Sequence, residues 1–173
     1  MGFFDKLFGG KAAEEPKFHG EKMTVMCPID GKIVPMEQIP DQTFATGILG
    51  PGCGVEPTGG VVYAPFDGTI TQVASTLHAV GMMSDDGIEV LIHVGMDTVE
   101  MQGKGFIGLV KEEQKVKAGT PLLKVNLETI RSAGHPTTTA VIVTNGDDLG
   151  SMTLVNQGNA AAGTPMLKFA GNN

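Results

Sequence analysis

Cys27-Pro28-Ile29-Asp30-Gly31-Lys32-Ile33 returns 37 residues later as Ala64-Pro65-Phe66-Asp67-Gly68-Thr69-Ile70. Further along, Ala118-Gly119-Thr120-Pro121-Leu122-Leu123-Lys124-Val125 returns 44 residues later as Ala162-Gly163-Thr164-Pro165-Met166-Leu167-Lys168-Phe169. Each unit is a glycine turn feeding a short apolar strand. Two duplications at unequal periods fit a pseudo-symmetric β-sandwich or barrel, whereas a solenoid needs many equal repeats.

Composition agrees. The 173 residues include 25 Gly and 10 Pro, about one position in five, which disfavours a mostly helical protein. Hydrophobic residues make up 41% and charged residues 18%, enough to bury a core. The best helix candidate is short, around Leu127 to Ala133, and is ended by Gly134 and Pro136. The expectation is therefore an all-β domain over residues 20–173, its strands ending near residue 171, with at most short helices.

Residues 1–19 are set apart as an arm and a linker. Phe3, Phe4, Leu7 and Phe8 share one face of a helix turn, Gly9 and Gly10 stop it, and a charged stretch with Pro16 follows. Such a turn suits either an arm folded back on the domain or weak contact with a membrane surface. No apolar run reaches the roughly 18 residues of a membrane span, and no secretory signal is evident. The net charge of −7, with no Trp and a single Tyr, argues against a nucleic-acid partner and for a basic or neutral one. Cys27 and Cys53 stand alone and read as buried, reduced thiols of a cytoplasmic protein.

The chemistry concentrates on two of the four histidines. Thr76-Leu77-His78-Ala79-Val80, then Ser84-Asp85-Asp86-Gly87, then Ile88-Glu89-Val90-Leu91-Ile92-His93-Val94-Gly95 reads as strand, turn, strand. With Asp85 and Asp86 at the centre of the turn, opposed residues sum to 171, and His78 faces His93 directly. With Asp86-Gly87 as the turn the sum is 173, and the two are diagonal neighbours on one face. A one-residue slip would separate them. Ile88, Val90, Ile92 and Val94 share the core parity, so His93 should face outward beside Gly95. His19 and His135 read as incidental.

Two neutral imidazoles can be half of a zinc site, completed by Asp85, Asp86, Glu89 or Asp97. Alternatively one is a nucleophile and the other donates a hydrogen bond to the group it carries, an arrangement that suits phosphoryl transfer. The sequence has no P-loop, dinucleotide fingerprint or nucleophile elbow. A phosphoryl group would thus come from another protein and leave to one.

Gly87-Ile88-Glu89-Val90-Leu91-Ile92-His93-Val94-Gly95-Met96-Asp97-Thr98-Val99 closely resembles the active-site signature of the glucose-family enzyme IIA of the bacterial sugar phosphotransferase system. Ala64 to Ile70 and Thr76-Leu77-His78-Ala79 match that family in order and spacing, and the resemblance covers essentially the whole chain. It departs from the enteric members at Ala74, where those carry an aromatic, and at Leu77, where they carry an Asn. The resemblance implies an antiparallel β-sandwich, the EIIA type-1 domain. This phosphocarrier takes a phosphoryl group from HPr on a surface His and passes it to a Cys of the sugar-specific IIB component during sugar uptake.

By that resemblance His93 is the phosphoacceptor through Nε2, His78 hydrogen-bonds the phosphoryl group, and Thr76 orients His78. The Gly95 carbonyl holds the Nδ1 proton of His93. Asp41 and Asp97 meet basic residues of HPr, while Phe44, Leu49, Leu91 and Val99 form the apolar surround on which partners dock. No cofactor is required, and zinc at His78 and His93 is a weak expectation. The protein is expected in the cytoplasm, with peripheral contact at the inner membrane face through residues 1–8. Two other classes use related folds. A biotinyl or lipoyl carrier needs Met-Lys-Met or Asp-Lys-Ala at a hairpin tip, and a zinc hydrolase of the lysostaphin type, or another zinc-binding module, needs a ligand set such as H-x-H; none of these occurs.

Overall fold

Both duplicated units become the same piece of structure twice. A computed structural model describes residues 16–171, and the amphipathic turn at residues 3–8 lies outside them. Fourteen strands run in the order β1 (Thr24–Met26), β2 (Gly31–Pro35), β3 (Gly52–Pro57), β4 (Val61–Tyr63), β5 (Gly68–Val73), β6 (Ala79–Ser84) and β7 (Glu89–Val94). They continue as β8 (Phe106–Gly108), β9 (Lys115–Val116), β10 (Pro121–Val125), β11 (Thr139–Val143), β12 (Met152–Leu154), β13 (Gly158–Ala160) and β14 (Pro165–Phe169). Two short helices interrupt them, α1 (Gln42–Ala45) and α2 (Leu127–Ser132). The second is the one the sequence anticipates, opened by the Asn126 side chain accepting from the Thr129 amide and followed by Gly134 at φ 86°.

The large sheet has the order β13-β2-β3-β11-β7-β6-β5-β9, and two small sheets have the orders β1-β14-β12 and β4-β10-β8, every pairing antiparallel. Exchanging β2 with β5, β3 with β6 and β11 with β7 turns the large sheet onto itself. The same operation turns one small sheet into the other. The axis passes through the Ile92–Val141 pair at the centre.

Local bonds obey this symmetry residue by residue. The Met26 amide donates to the Pro65 carbonyl and the Tyr63 amide to the Pro28 carbonyl, at 3.1 and 2.7 Å. Asp30 accepts from the Ala162 amide and Asp67 from the Ala118 amide, at 2.7 and 2.8 Å, so the aspartate of one repeat caps the turn of the other. Gly31 and Gly68 are needed because a Cβ would run into the carbonyl oxygens of Glu56 and Met83 on the partner strands.

The main core gathers Val25, Leu167, Val62, Leu123, Val55, Val80, Ile92 and Val141 from all three sheets. Ile88, Val90, Ile92 and Val94 are each at most 1% exposed, the parity expected of β7. On the other face of β11, Ala140 and Ile142 join Ile39, Phe44 and Met96 in a second, smaller cluster. That cluster is the floor beneath the histidines.

The β6–β7 register corrects both expected sums. Ala79 opposes His93 and Val80 opposes Ile92, so opposed residues sum to 172. The cause is the turn: the Ser84 amide donates to the Ile88 carbonyl and the Gly87 amide to the Ser84 carbonyl, enclosing the three residues Asp85, Asp86 and Gly87. Gly87 sits at φ 100°, as a three-residue hairpin loop requires. The strand also begins at Ala79, not at Thr76, because residues 74–78 form the loop joining β5 to β6.

Candidate functional site

A register one residue off both expected sums should put His78 and His93 on opposite faces, yet their ring centroids are 4.8 Å apart at an interplanar angle of 80°. His93 obeys alternation and points outward from β7, half-buried. His78 escapes it, because it lies just before β6, after a Leu77 held at φ 63°. Its carbonyl accepts from the Val94 amide at 2.8 Å, so its backbone still belongs to the ladder while its ring is aimed at His93.

Each imidazole is fixed from behind. His93 Nδ1 lies 2.9 Å from the Gly95 carbonyl oxygen. A carbonyl only accepts, so Nδ1 carries the proton and the Nε2 lone pair is free. His78 Nδ1 lies 2.7 Å from Thr76 Oγ1. A hydroxyl donating to Nδ1 leaves Nε2 as the donor of neutral His78.

Gly95 has φ 75°, and a Cβ there would stand 2.5 Å from Thr98 Cγ2 and 3.0 Å from the Pro136 carbonyl oxygen. Thr98, fully buried, donates from Oγ1 to the Val94 carbonyl and so braces the turn that presents Gly95. Sequence reading passes over Thr98, since a threonine after Met-Asp carries no distinguishing signal.

The surroundings favour the neutral form of both rings. Burial, then the neighbouring His93, lowers the His78 pKa to about 4. Burial also lowers that of His93, opposed by the Gly95 hydrogen bond and by the carboxylates of Asp41 and Asp97. Asp41 caps α1 by accepting from the Thr43 amide at 2.8 Å. Asp97 is exposed and left-handed, at φ 58°.

The remaining expected residues take different depths. Phe44 is only 6% exposed and lies against His93, with centroids 4.9 Å apart, so it supports the ring from the second cluster. Leu91 is half-buried, whereas Leu49 and Val99 are exposed at 39% and 52%. Ile48, next to Leu49, is 78% exposed and escapes sequence reading. Cys27 and Cys53 are fully buried, and burial raises both thiol pKa values, that of Cys27 to about 11. Among the described residues no group of three or more His, Cys, Asp or Glu is gathered to hold a metal, so zinc would find two imidazoles only. Nor is any helix among them long and apolar enough to cross a membrane.

Comparison with known proteins places the chain. The chain is 40% identical over 162 residues to the PTS system mannose-specific EIIBCA component of Corynebacterium glutamicum, covering 93% of this chain and 24% of that protein. It is 42% identical over 146 residues to the PTS system glucose-specific EIIA component of Bacillus cereus, covering 83% of this chain and 84% of that one. The chain thus spans less than a quarter of the multicomponent relative and most of the single-component one. Among solved structures, glucose permease IIA from Mycoplasma capricolum superimposes with a TM-score of 0.80 at 29% identity, covering 88% of this chain and 98% of that one. The family model of the phosphoenolpyruvate-dependent sugar phosphotransferase system, EIIA 1, matches residues 23–149, and this chain belongs to that family.

Proposed function

We propose that this protein is a phosphocarrier that takes a phosphoryl group from phospho-HPr onto His93 Nε2 and passes it to a cysteine of a IIB component. The supporting observation is the pair of imidazoles 4.8 Å apart, one with Nδ1 tied to the Gly95 carbonyl and the other with Nδ1 tied to Thr76. Family membership and a glucose-specific EIIA relative of similar length support the same reading.

In the first step the Nε2 lone pair of His93 forms the new P–N bond as the donor's bond to phosphorus breaks. Neutral His93 is the competent nucleophile, and its lowered pKa keeps it neutral at pH 7. The proton stays on Nδ1, and its hydrogen bond to the Gly95 carbonyl stabilises the positive charge that develops on the ring. His78 Nε2–H donates to a phosphoryl oxygen, and the added negative charge draws the His78 pKa upward. In the second step a IIB thiolate attacks phosphorus, the P–N bond breaks, and its electron pair returns to Nε2.

Asp41 and Asp97 meet basic groups of HPr, around an apolar surface of Ile48, Leu49 and Val99. The amphipathic residues 1–8 give weak contact with the inner membrane face. The test is intact mass after incubation with phosphoenolpyruvate, enzyme I and HPr. One added phosphoryl group, lost in acid and absent from His93→Ala, is the expected result. No added mass, with a competent control acceptor in the same tube, refutes the reading.

A further inference from the structure

We infer that Leu77 is a positioning residue, which turns His78 out of strand alternation and onto the face of His93, and that Gly108 of β8 is the seat holding it there. The inference rests on the phosphocarrier reading for its consequence but not for its geometry. The register sum of 172 assigns the His78 position to the face opposite His93. The rings meet because the residue before His78 adopts φ 63°.

Symmetry shows what that position demands. The His78 carbonyl accepts from the Val94 amide, and in the other half of the fold the Pro51 carbonyl accepts from the Val143 amide, both at 2.8 Å. Pro51 is therefore the counterpart of His78. The residue before it is Gly50, at φ 136°, so entry to this strand takes a positive φ in both halves. One half meets it with glycine, the other with a leucine, for which left-handed backbone is a rare and strained state.

Something must hold the leucine there, and two features do. The Leu77 amide donates to the Ala74 carbonyl and the Ala74 amide to the Ala79 carbonyl, at 2.8 and 3.0 Å, closing the loop around it. Its side chain packs on the main core and over Gly108, where a Cβ would stand only 3.0 Å from Leu77 Cδ2. The strain is thus balanced by packing on β8, a strand of the small β4-β10-β8 sheet and not of the sheet that carries His93.

The experiment reads His78 directly. Ring nitrogen chemical shifts of His78 report its tautomer, and single-turnover assays separate acceptance from phospho-HPr and transfer to IIB. In the wild type, with Thr76 donating to Nδ1, His78 is expected as the Nε2–H form. Leu77→Val, β-branched and least tolerant of φ above zero, is expected to mix the tautomers and slow transfer to IIB on the order of 10- to 100-fold, with a smaller effect on acceptance. Leu77→Asn, which tolerates left-handed backbone, is expected to stay within about threefold in transfer and to keep the tautomer.

Gly108→Ala, at an exposed position with ordinary φ, crowds the seat and is expected to slow transfer by several-fold without touching the site; it decides the matter where Leu77→Val does not fold. Wild-type tautomer and transfer in Leu77→Val, equal losses in the Val and Asn variants, or an unaltered Gly108→Ala overturns the inference. If the wild type takes no phosphoryl group, the carrier reading falls, while the tautomer comparison still decides the role of Leu77.

Discussion

Replacing His78 with Gln should flatten the acid side of the stability profile. Folded His78 has a pKa of about 4 against 6.5 in the unfolded chain. Between those values the unfolded state binds more protons than the native one, so stability rises with pH and is lost as pH falls from 6.5 towards 4. For a single site with those two constants the loss between pH 7 and pH 5 is about 1.8 kcal/mol. Solvent reaching the ring edge trims this towards about 1 kcal/mol. For a chain of this length that corresponds to roughly 2–6 °C in Tm. Urea or thermal unfolding of wild type and His78→Gln at pH 7 and pH 5 isolates the contribution, since His93 and the carboxylates titrate in both proteins. The variant should lose less stability on acidification by about that amount. An equal loss in both proteins would refute the claim that His78 is held neutral by its surroundings.

The same variant should accept phosphate from phospho-HPr yet pass it on poorly in single-turnover transfer to IIB, since Gln donates a hydrogen bond but does not change protonation. Gly95→Ala places a methyl group against Thr98 and strains a φ of 75°, so it should destabilise the fold by about 1–3 kcal/mol and slow phosphorylation of His93, both measurable on one preparation. Asp30→Ala and Asp67→Ala each remove a charge-assisted turn bond, and each should cost about 1.5–3 kcal/mol in urea unfolding. Ile48→Glu should weaken HPr binding about tenfold by calorimetry with Tm unchanged, because the side chain is 78% exposed.

How far the sequence reveals this molecule depends on which signals are local. The Pro-x-Asp-Gly units announce both turns and both strands, because Gly31 and Gly68 meet a steric requirement that no other residue satisfies. Alternation along Ile88 to Val94 gives the buried face of β7 for the same reason, a period set by the pleat. The register of β6 against β7 is different. It depends on whether Asp85, Asp86 and Gly87 make a loop of two residues or three, and Ser84 and Ile88 close the longer one through bonds that leave no mark in hydropathy. His78 meets His93 through a left-handed leucine, the conformation least suggested by its residue type. Phe44 under His93 is likewise illegible, since α1 has four residues and no periodicity to read.

The reciprocal bonding of the two halves bears on how the chain comes to be folded at all. Thr24 of β1 pairs with Lys168 of β14, and Gly31 of β2 with Ala160 of β13, so the earliest strands wait for the latest ones. Each half closes its turns only between residues far apart in the chain, because Ala162 is bonded by Asp30 and Ala118 by Asp67. A nascent chain emerging from the ribosome therefore carries unpaired strand edges until residue 169 has been made, a topology of distant partners that folds slowly and is exposed to aggregation meanwhile. Truncation before Pro165 should leave both ends of the molecule without a partner, so that the first strand is lost with the last.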